Sequence, residues 1–108
     1  MPGPHATTSA IVDVDRLVHE PARLTLLSHL YTLEAADFVY LLRHTGLTQG
    51  NLSSHLSRLE AAGYVDLTKG FAGKRPRTMV ALTPKGREAF EGYLRTMREA
   101  LGTIGSRT

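Results

Sequence analysis

Apolar residues recur at helical spacing in five places along the 108-residue chain. Ile11, Val12, Val14, Leu17 and Val18 predict a short helix behind Asp13. Pro21 fits the first turn of a second helix, where its missing N–H costs nothing. Leu24, Leu27, Leu30 and Tyr31 give that helix one apolar face, widened by Leu26. Residues 33–38 break the pattern. Asp37 then has the residue type of an N-cap, Phe38, Leu41 and Leu42 form the inward side of a two-turn helix, and Gly46 can end it in a left-handed conformation. Leu47 is the apolar plug of the turn. Thr48 caps a further helix, spanning 48–62, whose seam is Leu52, Leu56 and Leu59 and which stops at Gly63.

The period then changes. Tyr64, Val65 and Leu67, and later Met79, Val80 and Leu82, are strand formers on either side of Phe71-Ala-Gly-Lys-Arg-Pro-Arg77. Glycine within that connection predicts a hairpin longer than a tight two-residue turn. Pro76 pushes Arg75 into an extended conformation, so the basic tip of this 70–78 wing stands out from the body. Thr83-Pro84 opens the last helix with a capping hydroxyl and a proline at the first helical position. Phe90, Leu94, Met97, Leu101 and Ile104 follow as a narrow seam close to a 3.5 repeat. The expected domain runs over 13–105 and ends in a helix over 84–102. Residues 1–12, which show no periodicity, are expected to be a flexible arm.

The helix over 48–62 is unusual on its polar side. Thr48, Gln49, Asn51, Ser53, Ser54, Ser57 and Arg58 are short or weakly charged, where most surface helices carry Glu and Lys. Such groups both donate and accept hydrogen bonds, as base edges in a major groove require. Asn51 and Gln49 suit adenine, Arg58 suits guanine or a phosphate, and the serines suit phosphates. His55 either donates to a phosphate or packs beside Leu52 and Leu59. A solvated polar face is the competing reading, and the basic hairpin that follows weighs against it.

Charge sharpens this picture. The formal net charge is only +3. Residues 1–42 hold two basic and five acidic side chains, a balance of −3, whereas 43–77 hold six basic and two acidic, a balance of +4. The cations of the second segment lie around the polar helix and in the hairpin, the distribution expected for a polyanion partner. Lys74, Arg75 and Arg77 are the candidate phosphate or minor-groove contacts, with Lys69 and Arg43 as weaker ones.

The order helix, helix, glycine turn, helix, basic hairpin, long helix is a helix-turn-helix with a wing, a mainly α fold with a small β-hairpin (α+β). Thr48-Gln-Gly-Asn-Leu-Ser-Ser-His-Leu56, Leu59-Glu-Ala-Ala-Gly-Tyr-Val65, Gly73-Lys-Arg-Pro-Arg-Thr78 and Leu82-Thr-Pro-Lys-Gly-Arg87 resemble the small winged-helix transcriptional regulators of the MarR/ArsR type. The resemblance covers residues 15–101. It implies a cytoplasmic homodimer that binds double-stranded DNA at a palindromic operator, usually as a repressor, with a small-molecule effector as an open question. Helices at the two ends would form the dimer contact, through Leu17, Val18 and Leu24 and through Leu94, Met97, Leu101 and Ile104. The alternatives are a winged-helix protein-interaction module and a non-specific architectural DNA binder.

Other chemistries find little support. The chain has no cysteine, so thiolate sensing as in metal-responsive relatives does not carry over. His5, His19, His29, His44 and His55 include no pair at i, i+4 on one helix, so no metal site or other cofactor is expected. There is no nucleophile elbow, no phosphate-cradling glycine loop and no pair of carboxylates flanked by apolar residues, which disfavours an enzyme; Asp13 and Asp15 read as helix-start charges. No apolar run approaches the length of a membrane span, and no signal peptide is expected.

Overall fold

The computed structural model describes residues 14–105, with side chains to residue 102. Its elements are α1 (Pro21–Leu33), β1 (Ala35–Asp37), α2 (Phe38–Thr45), α3 (Gln49–Ala61), β2 (Val65–Ala72), β3 (Arg75–Leu82) and α4 (Pro84–Gly105). The three strands form one antiparallel sheet in the order β1-β3-β2. The core joins α1, α2, α3 and the inner ends of β2 and β3: Leu26, Leu27, Leu30, Leu41, Leu52, Leu56, Leu59, Val65 and Val80 have no exposed surface. Each such side chain gains about 1.5–3 kcal/mol by leaving water.

Local chemistry fixes the helix ends. Glu20 caps α1 by accepting from the Arg23 N–H, and Pro21 stands at the first helical position. Asp37 caps α2 by accepting from the Tyr40 N–H at 2.6 Å, and Gly46 closes it at φ 71°. Thr48 accepts from the Asn51 N–H to open α3, and Gly63 turns the chain at φ 79° after it.

Four sequence expectations change. No helix forms over 14–20; Asp15 Oδ1 instead accepts from the N–H groups of Leu17 and Val18, which holds the segment in a turn before Pro21 (Ile11 and Val12 lie outside the described residues). The break after α1 contains β1, built from Ala-Ala-Asp, residue types depleted in strands. It forms because Ala36 packs into the core opposite Val80, and because Glu34, at φ 69°, turns the chain onto β3. The hairpin is tighter than expected: β2 and β3 pair out to Ala72 and Arg75, leaving Gly73-Lys74 as a two-residue turn. Gly73 takes the positive φ of 65° and Lys74 does not, the pattern of a type II′ turn. Finally, α4 runs three residues beyond the expected end, to Gly105.

One junction joins four segments. The Tyr64 N–H donates to the Leu59 carbonyl at the end of α3, and the Tyr64 carbonyl accepts from the Thr83 N–H at 3.1 Å. The Thr83 hydroxyl donates to the Gly63 carbonyl and accepts from the Gly86 N–H, capping α4. The Tyr64 hydroxyl donates to Asp15 Oδ2, anchoring the N-terminal turn. Gly86 is required there: a Cβ would lie 2.1 Å from the Tyr64 carbonyl oxygen.

Two stability predictions follow from this packing. Gly86→Ala should destabilise the fold by about 3 kcal/mol, because backbone must move to admit the methyl group. Gly50→Ala, with nothing within 4 Å of the new atom, should instead stabilise it by about 0.5 kcal/mol in the same denaturant titration. Tyr64 gives a pH signature. Burial, then the hydrogen bond to Asp15 and the charge of that carboxylate, push its phenol up to about 12. A raised acid stabilises the folded state below its unfolded value near 10 and loses that contribution as pH climbs to 12. Tyr64→Phe should therefore flatten the loss of stability between pH 10 and 12 in chemical denaturation.

Candidate nucleic-acid interface

The candidate interface starts from the leucine seam of α3. Leu52, Leu56 and Leu59 are sealed in the core, so the opposite side of the helix must face outward. Thr48, Gln49, Asn51, Ser53, Ser54, Ser57 and Arg58 are all exposed. Thr48 is already occupied in capping, which leaves its hydroxyl proton free to donate elsewhere. Gly46 and Leu47 set the angle between α2 and α3: Gly46 supplies the left-handed turn, and Leu47 packs against the core.

His55 differs from its neighbours. It is half-buried, and its Nδ1 lies 3.3 Å from an Arg23 guanidinium nitrogen. A guanidinium can only donate, so Nδ1 accepts and the ring proton of a neutral His55 sits on Nε2. Arg23 itself is only 8% exposed and donates from Nε to the Leu17 carbonyl at 2.6 Å. In the sequence Arg23 is only one of the two basic residues of 1–42. Its role in tying the N-terminal turn to α3 was visible only once the fold brought residues 17, 23 and 55 together. The surroundings also tune Glu20. Burial raises its carboxyl, but the Arg23 N–H, the nearby His55 and the Ala22 N–H outweigh that and hold it below the ordinary value.

The wing carries Lys69, Lys74, Arg75 and Arg77, all exposed. They do not share one surface. Strand alternation puts Lys69 on the face of Val65 and Leu67, and Arg75 and Arg77 on the other face. Arg77 lies 3.7 Å from Asp37, the cap of α2, which tethers it near the base of the wing. Arg43, at the end of α2, is exposed and lines a groove with Val39, Asp37, Arg75 and Arg77.

The candidate dimer residues separate into three groups. Leu17, Leu24, Leu94 and Met97 are half-buried against the core, and Leu101 is 59% exposed. Val18 is fully buried within its own protomer, so it supports this surface from beneath instead of lying on it. The side chain of Ile104 lies outside the described residues. α4 packs against α1, where Tyr31 meets Phe90 with tilted rings and donates to Glu91, while the Tyr93 hydroxyl lies 2.8 Å from His19 Nδ1 in the N-terminal turn. Among the described residues no three His, Cys, Asp or Glu side chains converge as a metal site, and no helix is long and apolar enough to cross a membrane.

Residues 22–101 match the model of a winged helix DNA-binding domain. The chain belongs to that family. It is 38% identical to an uncharacterised protein of Methanocaldococcus jannaschii over 79 residues, covering 73% of this chain and 86% of the relative. Its structure is similar to that of a transcriptional regulator homologue from Pyrococcus horikoshii, with a TM-score of 0.83, 30% identity, and coverage of 91% and 96% of the two chains. A MarR-family regulator from Enterococcus faecalis has the same fold at 21% identity, with a TM-score of 0.68 over 100% of this chain and 96% of its own. The resemblance read from the motifs is thus met at the level of family and fold. This winged-helix protein is a DNA-binding transcriptional regulator by kinship.

Asp37 serves both the helix-turn-helix and the wing, and the two roles are separable. Asp37→Ala should cost about 1 kcal/mol through the lost cap. Arg77→Ala should cost less than about 0.5 kcal/mol, because an exposed ion pair contributes little. Equal losses in thermal unfolding would overturn that division.

Proposed function

We propose that the protein is a homodimeric, sequence-specific repressor that occupies an inverted-repeat operator. The observation that carries this reading is the α3 surface: a polar, hydrogen-bonding face held outward by a fully buried leucine seam, beside a rigid cationic hairpin. In this reading α3 enters the major groove. Gln49, Asn51 and Arg58 read base edges, while Thr48, Ser53, Ser54, Ser57 and the Nε2–H of His55 hold phosphates. Lys69, Lys74 and Arg75 contact flanking DNA, and Arg77 does so from nearer the base of the wing.

Dimerisation through the outer parts of α4, with Leu17 and Leu24, would place two α3 helices in successive major grooves about 34–36 Å apart. The exposed Leu101 and the half-buried Leu94 and Met97 support that contact. A cleft of about 400 Å³ lined by His19, Glu20, Pro21, Leu24, Thr25 and Tyr93 lies between the N-terminal turn and α4. A small-molecule effector bound there would act by changing the tilt of the two halves, and so their spacing on DNA.

Binding to promoter fragments at several salt concentrations tests the reading. Light scattering at micromolar concentration should give a dimer. Lys74→Ala and Arg75→Ala should weaken binding to all sequences and each reduce the slope of log affinity against log salt by about 0.9. Asn51→Ala should instead relax base preference, with a loss of about 10-fold confined to the preferred site. Affinity independent of sequence would favour an architectural binder, and absence of binding at low salt would leave the protein-interaction module.

A further inference from the structure

Phe71 is the feature of the wing that charge does not explain. It is 74% exposed, more than any other large apolar side chain among the described residues. Strand alternation places it on the face of Val65 and Leu67, but six residues beyond buried Val65 and four beyond half-buried Leu67, on a stretch of β2 that is exposed from residue 68 onward. Pro76 is directly across the ladder on the same face, so the two rings form one apolar patch at the tip. Gly70 and Ala72, its chain neighbours, are too small to cover it.

The patch is stiff and ringed by cations. The strands pair without interruption to the two-residue turn, and Pro76 has a fixed φ. Lys69 shares the face, Lys74 occupies the turn, and Arg75 follows it. A narrow apolar ridge between positive charges suits one occupant well: the minor groove of DNA, whose walls are phosphates and whose floor is stacked bases. The strand that carries Phe71 packs against α3, so the wing and the polar face of α3 can meet the same duplex.

We propose that Phe71, backed by Pro76, is an apolar wedge that enters the minor groove beside the operator half-site, partly unstacks one base step and bends the DNA. This rests on the DNA-binding reading above and adds to it a specificity that involves no hydrogen bond. Pyrimidine–purine steps unstack most readily, so the protein should prefer TA or CA at the step under each wing. Lys69, Lys74 and Arg75 hold the backbone on either side while Phe71 selects for deformability.

The test uses a duplex of about 30 base pairs selected from a random pool by the full-length wild-type chain, enough for two half-sites. The duplex carries end-labels for energy transfer and 2-aminopurine placed in turn at each flanking step. Wild-type protein should shorten the end-to-end distance and raise 2-aminopurine fluorescence at one step per half-site. Phe71→Ala should abolish both and lower affinity by about 10-fold, the scale of one buried aromatic side chain, while leaving the salt slope unchanged. Phe71→Leu should keep part of each signal. If wild type binds but Phe71→Ala bends and unstacks the duplex equally, the wedge is overturned and the DNA reading stands. If Phe71→Ala alters the oligomeric state without DNA, the side chain belongs to a protein contact and the wedge is again overturned. If wild type selects no sequence and binds none, both readings fail together.

Discussion

The backbone junction at Gly63–Tyr64 fixes the relation between every other part of the molecule. The Tyr64 amide closes α3, its carbonyl takes the Thr83 amide, and Thr83 both caps α4 and returns to Gly63. The first turn of α4 comes so near this peptide that only glycine fits at residue 86. Through these few bonds the end of α3, the roots of both wing strands and the start of the long helix form one rigid piece. Asp15, bonded to the Tyr64 hydroxyl, adds the N-terminal turn to it. The direction of α4 relative to α3 is therefore set by short backbone contacts, with little room for independent motion.

Much of this was legible in the chain. Thr48, Leu52, Leu56, Leu59 and Gly63 state a capped helix with one buried side, and Thr83-Pro84 states another start. These are local signals: the cap, the period and the stop lie within a turn or two of one another. The strand β1 was not legible, because Ala35-Ala36-Asp37 has no strand preference of its own. It exists only because β3, more than 40 residues later, presents a partner edge and Ala36 finds a place opposite Val80. The hairpin tip misled for a related reason. Glycine, two cations and proline read as an open loop, whereas register propagated from Val65–Leu82 carries the ladder out to Ala72–Arg75. Contacts far apart in sequence decided both cases.

The candidate interface shows the same limit. Composition identified the polar side of α3 and the basic wing, since solvent-facing residues declare their chemistry directly. It did not sort the wing cations, because which face each occupies depends on register. Nor did it single out Arg23, whose charge gave no sign that it would be buried against Leu17 and His55. Phe71 was readable only as the first residue of the connection between the two strands. Its exposure follows from the tight turn, which places it past the edge of the core.

Rigidity and exposure together constrain how such a molecule can respond to a signal. α3 is held at both ends, by Thr48 and by the Gly63–Tyr64 junction, and along its length by Leu52, Leu56 and Leu59. Tilting it within the domain would open the core and forfeit several kcal/mol. The sparse contacts lie elsewhere, along the outer part of α4, where Leu101 is exposed and packing is chiefly onto α1. Population shifts of a few kcal/mol are therefore cheapest at that end of the molecule. Arg23 matters in this setting because it joins the N-terminal turn to His55 on α3. The turn is thus bound to α3 by two links, the Arg23 guanidinium at His55 and the Asp15–Tyr64 hydrogen bond at the end of the helix.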